Sequence, residues 1–422
     1  MRVEALASKV LAYVEKTYAS TRSAIESLGV REHRGKILSL VLGVLRNYKL
    51  LQEALKYCGY RGRVRGGVKG WLPLVLAYKL LFSDVKGIPS DYMLILDRHV
   101  AECLKIIDPS EVYNRFSGDL KLSVKYSIPL WVIRYLKKLS IPYGGLEKLL
   151  DAFQKPTPVW IRFNRARIKL REAVNKLLAM GVIAEPDLIL DDVLEVKHTV
   201  SGALSRLDPS LFYVQDRFST LIAHVARLAP PMVIDLMSAP GSKLGHVYWR
   251  SNYTYSIGLD ISVNRCLTEH KLLSRQQVWI VDIVNADARL PPLARVPKAS
   301  LILVDPDCSS MGRLGHSPET RLFLEATGPS IVHRASRLQR KVLLKAISIA
   351  SEDTIIIYST CTLTLEENEN VVAKALETGR VEVEEAYPWI GVEGGIRGVQ
   401  RVYPHISRCV GGFIARIRVS KA

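Results

Sequence analysis

The sequence contains no Cys-x-x-Cys pair. Its six cysteines, at 58, 103, 266, 308, 361 and 409, are scattered over 422 residues. That spacing argues against a zinc cluster or a dense disulfide framework, and no metal is expected. In a cytoplasm such cysteines stay reduced, and most read as small apolar fillers, Cys103 in "VAECLKII" among them. Long apolar runs are also missing. A membrane helix needs about 18 apolar residues; "WLPLVLAYKLLF" is short and broken by Lys79. There is no low-complexity segment, and a hydrophobic content of 48% excludes a disordered chain. Neither a Walker loop nor a G-x-G-x-x-G turn occurs, so nucleotide phosphates are not specifically indicated. The opening residues mix charged and apolar side chains at helical spacing, which predicts an amphipathic helix rather than a secretory signal. A cytoplasmic protein is expected.

Acidic residues are in short supply. There are 41 Asp+Glu against 59 Lys+Arg, a formal net charge of +18. Residues 1–150 hold 25 of the bases and 13 of the acids, a net of +12. Such an excess favours a polyanionic partner through phosphate contacts and counterion release. A charge-rich solvated surface is the plainer alternative.

Residues 1–140 carry apolar side chains at intervals of three and four, as in "RGKILSLVLGVLRNYKLLQEALKYC", and predict an all-helical domain. Within it lies "RGRVRGGVKG", Arg61 to Gly70, where cations alternate with glycines. This is either a flexible basic loop reaching for phosphates or a solvated turn. Prolines 156 and 158 then mark a linker. A small α+β connector is expected over 145–205: a strand at Val159–Phe163, the helix "KLREAVNKLLAMGV", and short strands at "LIL" and "VLEV". From 206 to 422 the pattern becomes strand–helix alternation, with strands at "MVIDL", "YSIGLD", "VWIVDIV", "SLILVD" and "TIIIYS". That alternation predicts an α/β fold with a parallel sheet covered on both faces.

"VIDLMSAPGSKLGH" reads as strand, turn and helix. In an open α/β sheet ligands bind at the carboxyl ends of the strands. Gly241 permits close backbone approach, the helix start offers free N–H groups to an anion, and Lys243 adds a cation. A small anion such as an amino-acid carboxylate suits this turn. The next strand ends in Asp260, about 20 residues past the glycine turn and placed for ribose hydroxyls. The one after leads to Asp287, an acid for a purine edge. Together these describe an adenosyl-cofactor pocket formed by Ser238, Ala239, Pro240, Gly241, Ser242, Lys243, Asp260, Asp287 and Asp305.

Two cysteines follow strand ends: Cys308 in "LILVDPDCSSMG" and Cys361 in "IIIYSTC". Their Ser, Thr and Asp neighbours pack poorly, as expected of a working thiol rather than a filler. An adenosyl cofactor, two thiols and a basic surface fit one chemistry. Carbon-5 of cytosine is a weak nucleophile until a thiolate adds to carbon-6. Carbon-5 then takes a methyl group, loses its proton, and the thiol is expelled. Asp305 is placed to stabilise the electron-rich base. Residue chemistry alone leaves open which thiol attacks.

These motifs resemble those of the Sun (Nol/Nop) family of RNA cytosine-5 methyltransferases, over a stretch from about Pro156 to the C-terminus. "DLMSAPGSK" looks like the family's DxCAAPGGK, "DPDCSSMG" like DPPCSGxG, and "YSTCTLTLEENE" like YSTCTxxxxENE. "WIRFN", "LFYVQDRFS" and "RVYPHISRCVGGFIARI" are similar to flanking segments. The resemblance implies a Rossmann-like methyltransferase domain using S-adenosylmethionine. It implies Cys361 as nucleophile, Cys308 as the thiol assisting release, Asp305 and Lys243 near the base and methyl donor, and Asp260 and Asp287 on the adenosine. The helical N-terminus resembles a NusB-like RNA-binding domain. The implied substrate is RNA, ribosomal first and transfer RNA second; a non-catalytic RNA-binding assembly factor is the alternative. Asp307 stands where the family has proline, and a carboxylate there is expected to raise the pKa of Cys308.

Overall fold

A computed structural model describes residues 2–83, 88–226, 229–251 and 254–420. The chain forms two compact units. One comprises Met1–Pro156 together with Arg313–Ile331, the other Thr157–Gly312 with Val332–Ala422.

The first unit is helical. Its principal helices are Arg2–Thr17, Arg34–Tyr57 and Val68–Phe82, whose apolar stripes meet in one core around Leu11, Val44, Leu51, Trp71 and Leu74. The segment Arg313–Ile331 is woven into this unit, whereas the division read from sequence assigns it to residues 206–422. Its Leu322 joins the helical core. Glu325 bonds Lys49 Nζ at 2.6 Å and Arg65 Nη1 at 2.5 Å. The fully buried Arg321 donates to the Phe153 carbonyl at 3.0 Å, and burial pushes its pKa down to about 9. Two expectations need correction here. Cys103 is not a free filler; it is disulfide-bonded to Cys58. In the basic glycine loop, Arg65 points inward to Glu15 and Glu325 rather than outward to a phosphate, while Arg61, Arg63 and Lys69 are exposed.

The second unit contains two sheets. Strands β1 (Val159–Phe163), β2 (Val182–Pro186), β3 (Val193–Thr199) and β4 (Phe212–Val214) form an antiparallel sheet in the order β2-β3-β1-β4. The "LIL" segment is not a strand. Asp187 Oδ1 accepts from the N–H groups of Ile189 and Leu190 at 2.8 and 2.9 Å, which turns the chain and leaves Leu188 fully exposed.

The larger sheet holds β5 (Val233–Asp235), β6 (Ser256–Asp260), β7 (Val281–Asn285), β8 (Leu301–Val304), β9 (Ile355–Thr360), β10 (Val381–Glu384), β11 (Val392–Glu393), β12 (Gln400–Val402) and β13 (Gly412–Val419). Its order is β11-β12-β13-β9-β8-β5-β6-β7, with β10 also pairing β13. Strands β5 to β9 are mutually parallel; β13 runs antiparallel to β9. Alternate residues feed the two faces: Val233, Leu301, Leu303 and Ile357 enter one core, Ile234, Ile302, Val304 and Ile356 the other. Trp160 and Val193 of the small sheet join the first of these cores. This is the Rossmann-like arrangement expected. The strand order reverses between β5 and β8, which places the ligand crevice at the carboxyl ends of those strands.

Candidate active site

The turn after β5 is built around Gly241, which sits in the left-handed region at φ +93° and caps the helix Ser242–Arg250. A Cβ there would lie 2.9 Å from Glu269 Cγ, so both conformation and space require glycine. Ser238 donates to Glu269 Oε2 at 2.7 Å, tying the turn to the helix Val263–Arg275. The buried Arg162 of "WIRFN" donates to the Ser242 carbonyl at 3.1 Å and stacks over Trp249, its guanidinium carbon 4.3 Å from the ring centroid. That side chain holds the first turn of the helix from behind. Pro240 follows Ala239 through a cis peptide bond.

Acids crowd this crevice. Asp235, at the end of β5, is buried; burial and Glu269 push its pKa up to about 8 against the pull of Lys243. Burial likewise lifts Glu269 to about 7. Sequence reasoning assigned neither residue. Glu269 could have been found from its spacing: with Cys266 and Leu273 it falls on the buried face of its helix.

Asp260 lies at the end of β6, where its carboxylate accepts from Ser262 N at 2.9 Å and meets Arg265 Nη2 at 3.3 Å. Asp287 lies two residues beyond β7, held by its neighbour Arg289, which lowers its pKa. Asp305 follows β8. Its Oδ1 accepts from Ser359 Oγ at 2.9 Å, and its Oδ2 is ion-paired with Lys243 Nζ. Although burial opposes it, the carboxylates of Asp305 and Asp235 and the Cys361 sulfur raise the Lys243 pKa.

Cys308 and Cys361, 53 residues apart in sequence, meet with their sulfurs 3.0 Å apart. The contact to Cys361, reinforced by burial, holds the Cys308 thiol in its protonated form well above the usual thiol range. Glu367 contributes as well. The Asp307 side chain is exposed and is not among the largest causes of this shift.

The loops carrying the thiols are fixed by "LEENE". Glu367 is buried and accepts from Ser309 N at 2.8 Å, Ser309 Oγ at 2.6 Å, Thr364 Oγ1 at 2.8 Å and Gln339 Nε2 at 3.2 Å. Burial raises its pKa despite these donors. Thr360 and Thr362, on either side of Cys361, are buried as well. Thr360 donates to Asn368 Oδ1 at 2.5 Å, and Thr362 shares a 2.6 Å hydrogen bond with Ser309. The Cys361 carbonyl accepts from Gly312 N at 3.0 Å. Glu369 pairs with Arg401, which also donates to the Leu363 carbonyl at 2.9 Å. Polar residues therefore flank Cys361 because they anchor its loop to the protein, while the thiol itself stays half-exposed.

A separate polar cluster joins Asp192 to the helices Arg217–Val225 and Ser242–Arg250. Among the described residues, Asp192, His224 and His246 bring three metal-type ligand atoms within 4.8 Å of one another. Arg250 Nη1 is 2.7 Å from the Asp192 carboxylate and already fills the cationic role. Burial pushes His246 down to about 3, so it is neutral beside that pair.

Residues 227–418 match the family model described as 16S rRNA methyltransferase RsmB/F. A transfer RNA (cytosine(72)-C(5))-methyltransferase of Pyrococcus horikoshii is 34% identical over 272 residues, which is 63% of this chain and 65% of that protein. Ribosomal RNA small subunit methyltransferase F of Escherichia coli is 28% identical, over 66% of this chain and 60% of that protein. The chain thus spans under two thirds of the length of these relatives. The crystal structure of PH0851 superposes with a TM-score of 0.79 over 99% of both chains at 19% identity, so the fold of the whole chain, helical unit included, recurs there.

Proposed function

We propose that this chain, whose residues 227–418 match the RsmB/F family model, methylates carbon-5 of cytosine in structured RNA with S-adenosylmethionine as donor. The observation that carries this reading is the pair of thiols 3.0 Å apart at the carboxyl edge of the parallel sheet. A binding module or assembly factor needs neither thiol.

The crevice fits the cofactor. The helix behind the glycine turn starts at Ser242, and Gly258 admits the Ser238 and Glu269 side chains against the strand, where a Cβ would meet Ser238 Oγ and Glu269 Oε1 at 2.7 Å. Ser238 to Lys243 line the turn, Asp260 and Asp287 offer acceptors at neighbouring strand ends, and Asp305 closes the side toward the thiols. When bound, the cofactor supplies an electrophilic methyl group.

The protein's own groups do the rest. Cys361 attacks carbon-6 as a thiolate; the protonated Cys308 donates to its sulfur and, with Lys243, stabilises that charge. The carbon-6 bond to sulfur pushes the electron pair of the 5,6 double bond onto carbon-5 and the ring's polar edge. Asp305, held by Lys243 and Ser359, orients that edge. After methylation the carbon-5 proton leaves to a base, the sulfur–carbon bond breaks, and the double bond returns; Cys308 assists this last step.

Ribosomal RNA is the first substrate class, on the family model; transfer RNA is the second reading, favoured by the archaeal relative. The helical unit serves as a NusB-like RNA-binding domain. We place the enzyme in the cytoplasm, where the Cys58–Cys103 disulfide is unusual outside hyperthermophiles. Bisulfite mapping of total RNA from cells with and without the protein tests the whole reading. A cytosine protected only in its presence is expected, and its location names the RNA. No difference at any position contradicts methylation of carbon-5.

A further inference from the structure

The helix Ser330–Ile349 connects β8 to β9 and contains five Lys and Arg, one His and no acid. Its buried face is apolar except for Ser336 and Gln339: Val332 and Ala335 are buried, and Val342, Leu343, Ala346 and Ile347 join a core of the sheet. Gln339 on that face also donates to the Asp307 carbonyl at 3.1 Å, next to Cys308. The opposite side is cationic. His333, Arg334, Arg337 and Lys341 are exposed, and Lys345 is half-exposed one turn further on. His333, Arg337 and Lys341 follow at intervals of four, which sets them about 6 Å apart along the axis. None of these side chains has an ion-pair partner among the described residues, whereas Arg165, Lys176, Lys197 and Arg408, exposed in the same unit, each have one.

A solvated helix face ordinarily mixes both signs of charge, because acids four residues from bases support the helix. An unbroken row of one sign costs the helix stability through like-charge repulsion. Here that cost is uncompensated inside the protein.

We propose that this row is a backbone-binding track for the substrate RNA. A β–α–β crossover between parallel strands returns antiparallel to them, so the first turns of this helix lie at the carboxyl edge of the sheet, where Cys308 and Cys361 sit. His333 and Arg334 begin the track beside that edge, and Arg337, Lys341 and Lys345 lead away from it. RNA leaving the crevice runs along this outer face, its phosphates held without base readout. The track sets where the strand lies, and the crevice sets which base reacts. This inference rests on the proposed RNA methyltransferase activity.

The test is the triple charge reversal Arg334→Glu/Arg337→Glu/Lys341→Glu in the full chain. Binding of a mixed-sequence single-stranded 20-nucleotide RNA is measured between 50 and 200 mM salt, with S-adenosylmethionine affinity as the control for folding. Losing three phosphate contacts lowers the log–log salt slope by about 2, so the wild-type advantage shrinks about 20-fold over that range. Cofactor affinity stays unchanged. The conservative variant Arg334→Lys/Arg337→Lys keeps the wild-type slope. An unchanged slope in the triple variant, with cofactor bound normally, overturns the track. A lost cofactor affinity shifts the test to the single reversals at 334, 337 and 341, each expected to lower the slope by about 0.7; three unchanged slopes overturn it equally. If the wild-type protein binds no RNA, the enzymatic reading fails and the track falls with it.

Discussion

Replacing Glu367 with alanine should loosen the loop that carries Cys308 without touching either thiol. The carboxylate accepts from four donors, on Ser309, Thr364 and Gln339. Two of them keep another partner: Ser309 Oγ remains 2.6 Å from Thr362 Oγ1, and Gln339 remains bonded to the Asp307 carbonyl. The Ser309 N–H and the Thr364 hydroxyl are left unpaired in the interior, at about 1–3 kcal/mol each. Removing a buried carboxylate, whose ionisation burial already disfavours, returns part of this. The net loss should be about 2–4 kcal/mol. Equilibrium denaturation followed by tryptophan fluorescence would measure it, since Trp160 and Trp249 lie in the core of the same unit. Ser309→Ala combined with Glu367→Ala should cost less than the sum of the two single changes, because they break one network. A loss under about 1 kcal/mol, or strict additivity, would refute the view that "LEENE" fixes the Cys308 loop.

Asp235 has its pKa raised to about 8 by burial and Glu269. The folded state keeps this proton after the unfolded chain has released it, so the group's contribution is fully present below about pH 4 and is lost as pH rises toward 8. Asp235→Asn, which cannot ionise, should therefore show a flatter stability profile between pH 5 and 8 in thermal unfolding; parallel wild-type and variant profiles would contradict it. Cys58→Ser, or a reductant, should lower the stability of the helical unit by about 2–4 kcal/mol, as expected for a bridge across a loop of this length. An identical melting temperature with and without reductant would show the bridge to be dispensable.

Much of this was legible before any coordinates. The parallel strands announce themselves because both faces are buried: β8 and β9 are apolar or small throughout and could not be solvent-facing. The two thiols were legible because their neighbours are polar. What their neighbours do was not. Thr360 and Thr362 face inward to Asn368 and Ser309 rather than toward a substrate, a distinction that depends on where a later loop folds back. The same limit hid the Cys58–Cys103 bridge, whose halves are 45 residues apart and meet only when two helices dock. Periodicity tells which face of Thr320–Thr327 is buried but not against which partner, so its place in the helical unit went unread. "LIL" misled because one Asp187 carboxylate outweighs three apolar residues in deciding the local chain path.

The central claim is that Cys361 attacks and Cys308 releases. Its most direct test is denaturing electrophoresis of RNA incubated with S-adenosylmethionine and either Cys361→Ser or Cys308→Ser. Cys361→Ser should form no adduct and no product, because a hydroxyl does not replace a thiolate of ordinary pKa about 8.5. Cys308→Ser should transfer the methyl group and then stall, leaving an RNA–protein adduct that survives denaturation. An adduct trapped by Cys361→Ser and not by Cys308→Ser would reverse the two roles, and full activity in both variants would contradict the covalent mechanism itself.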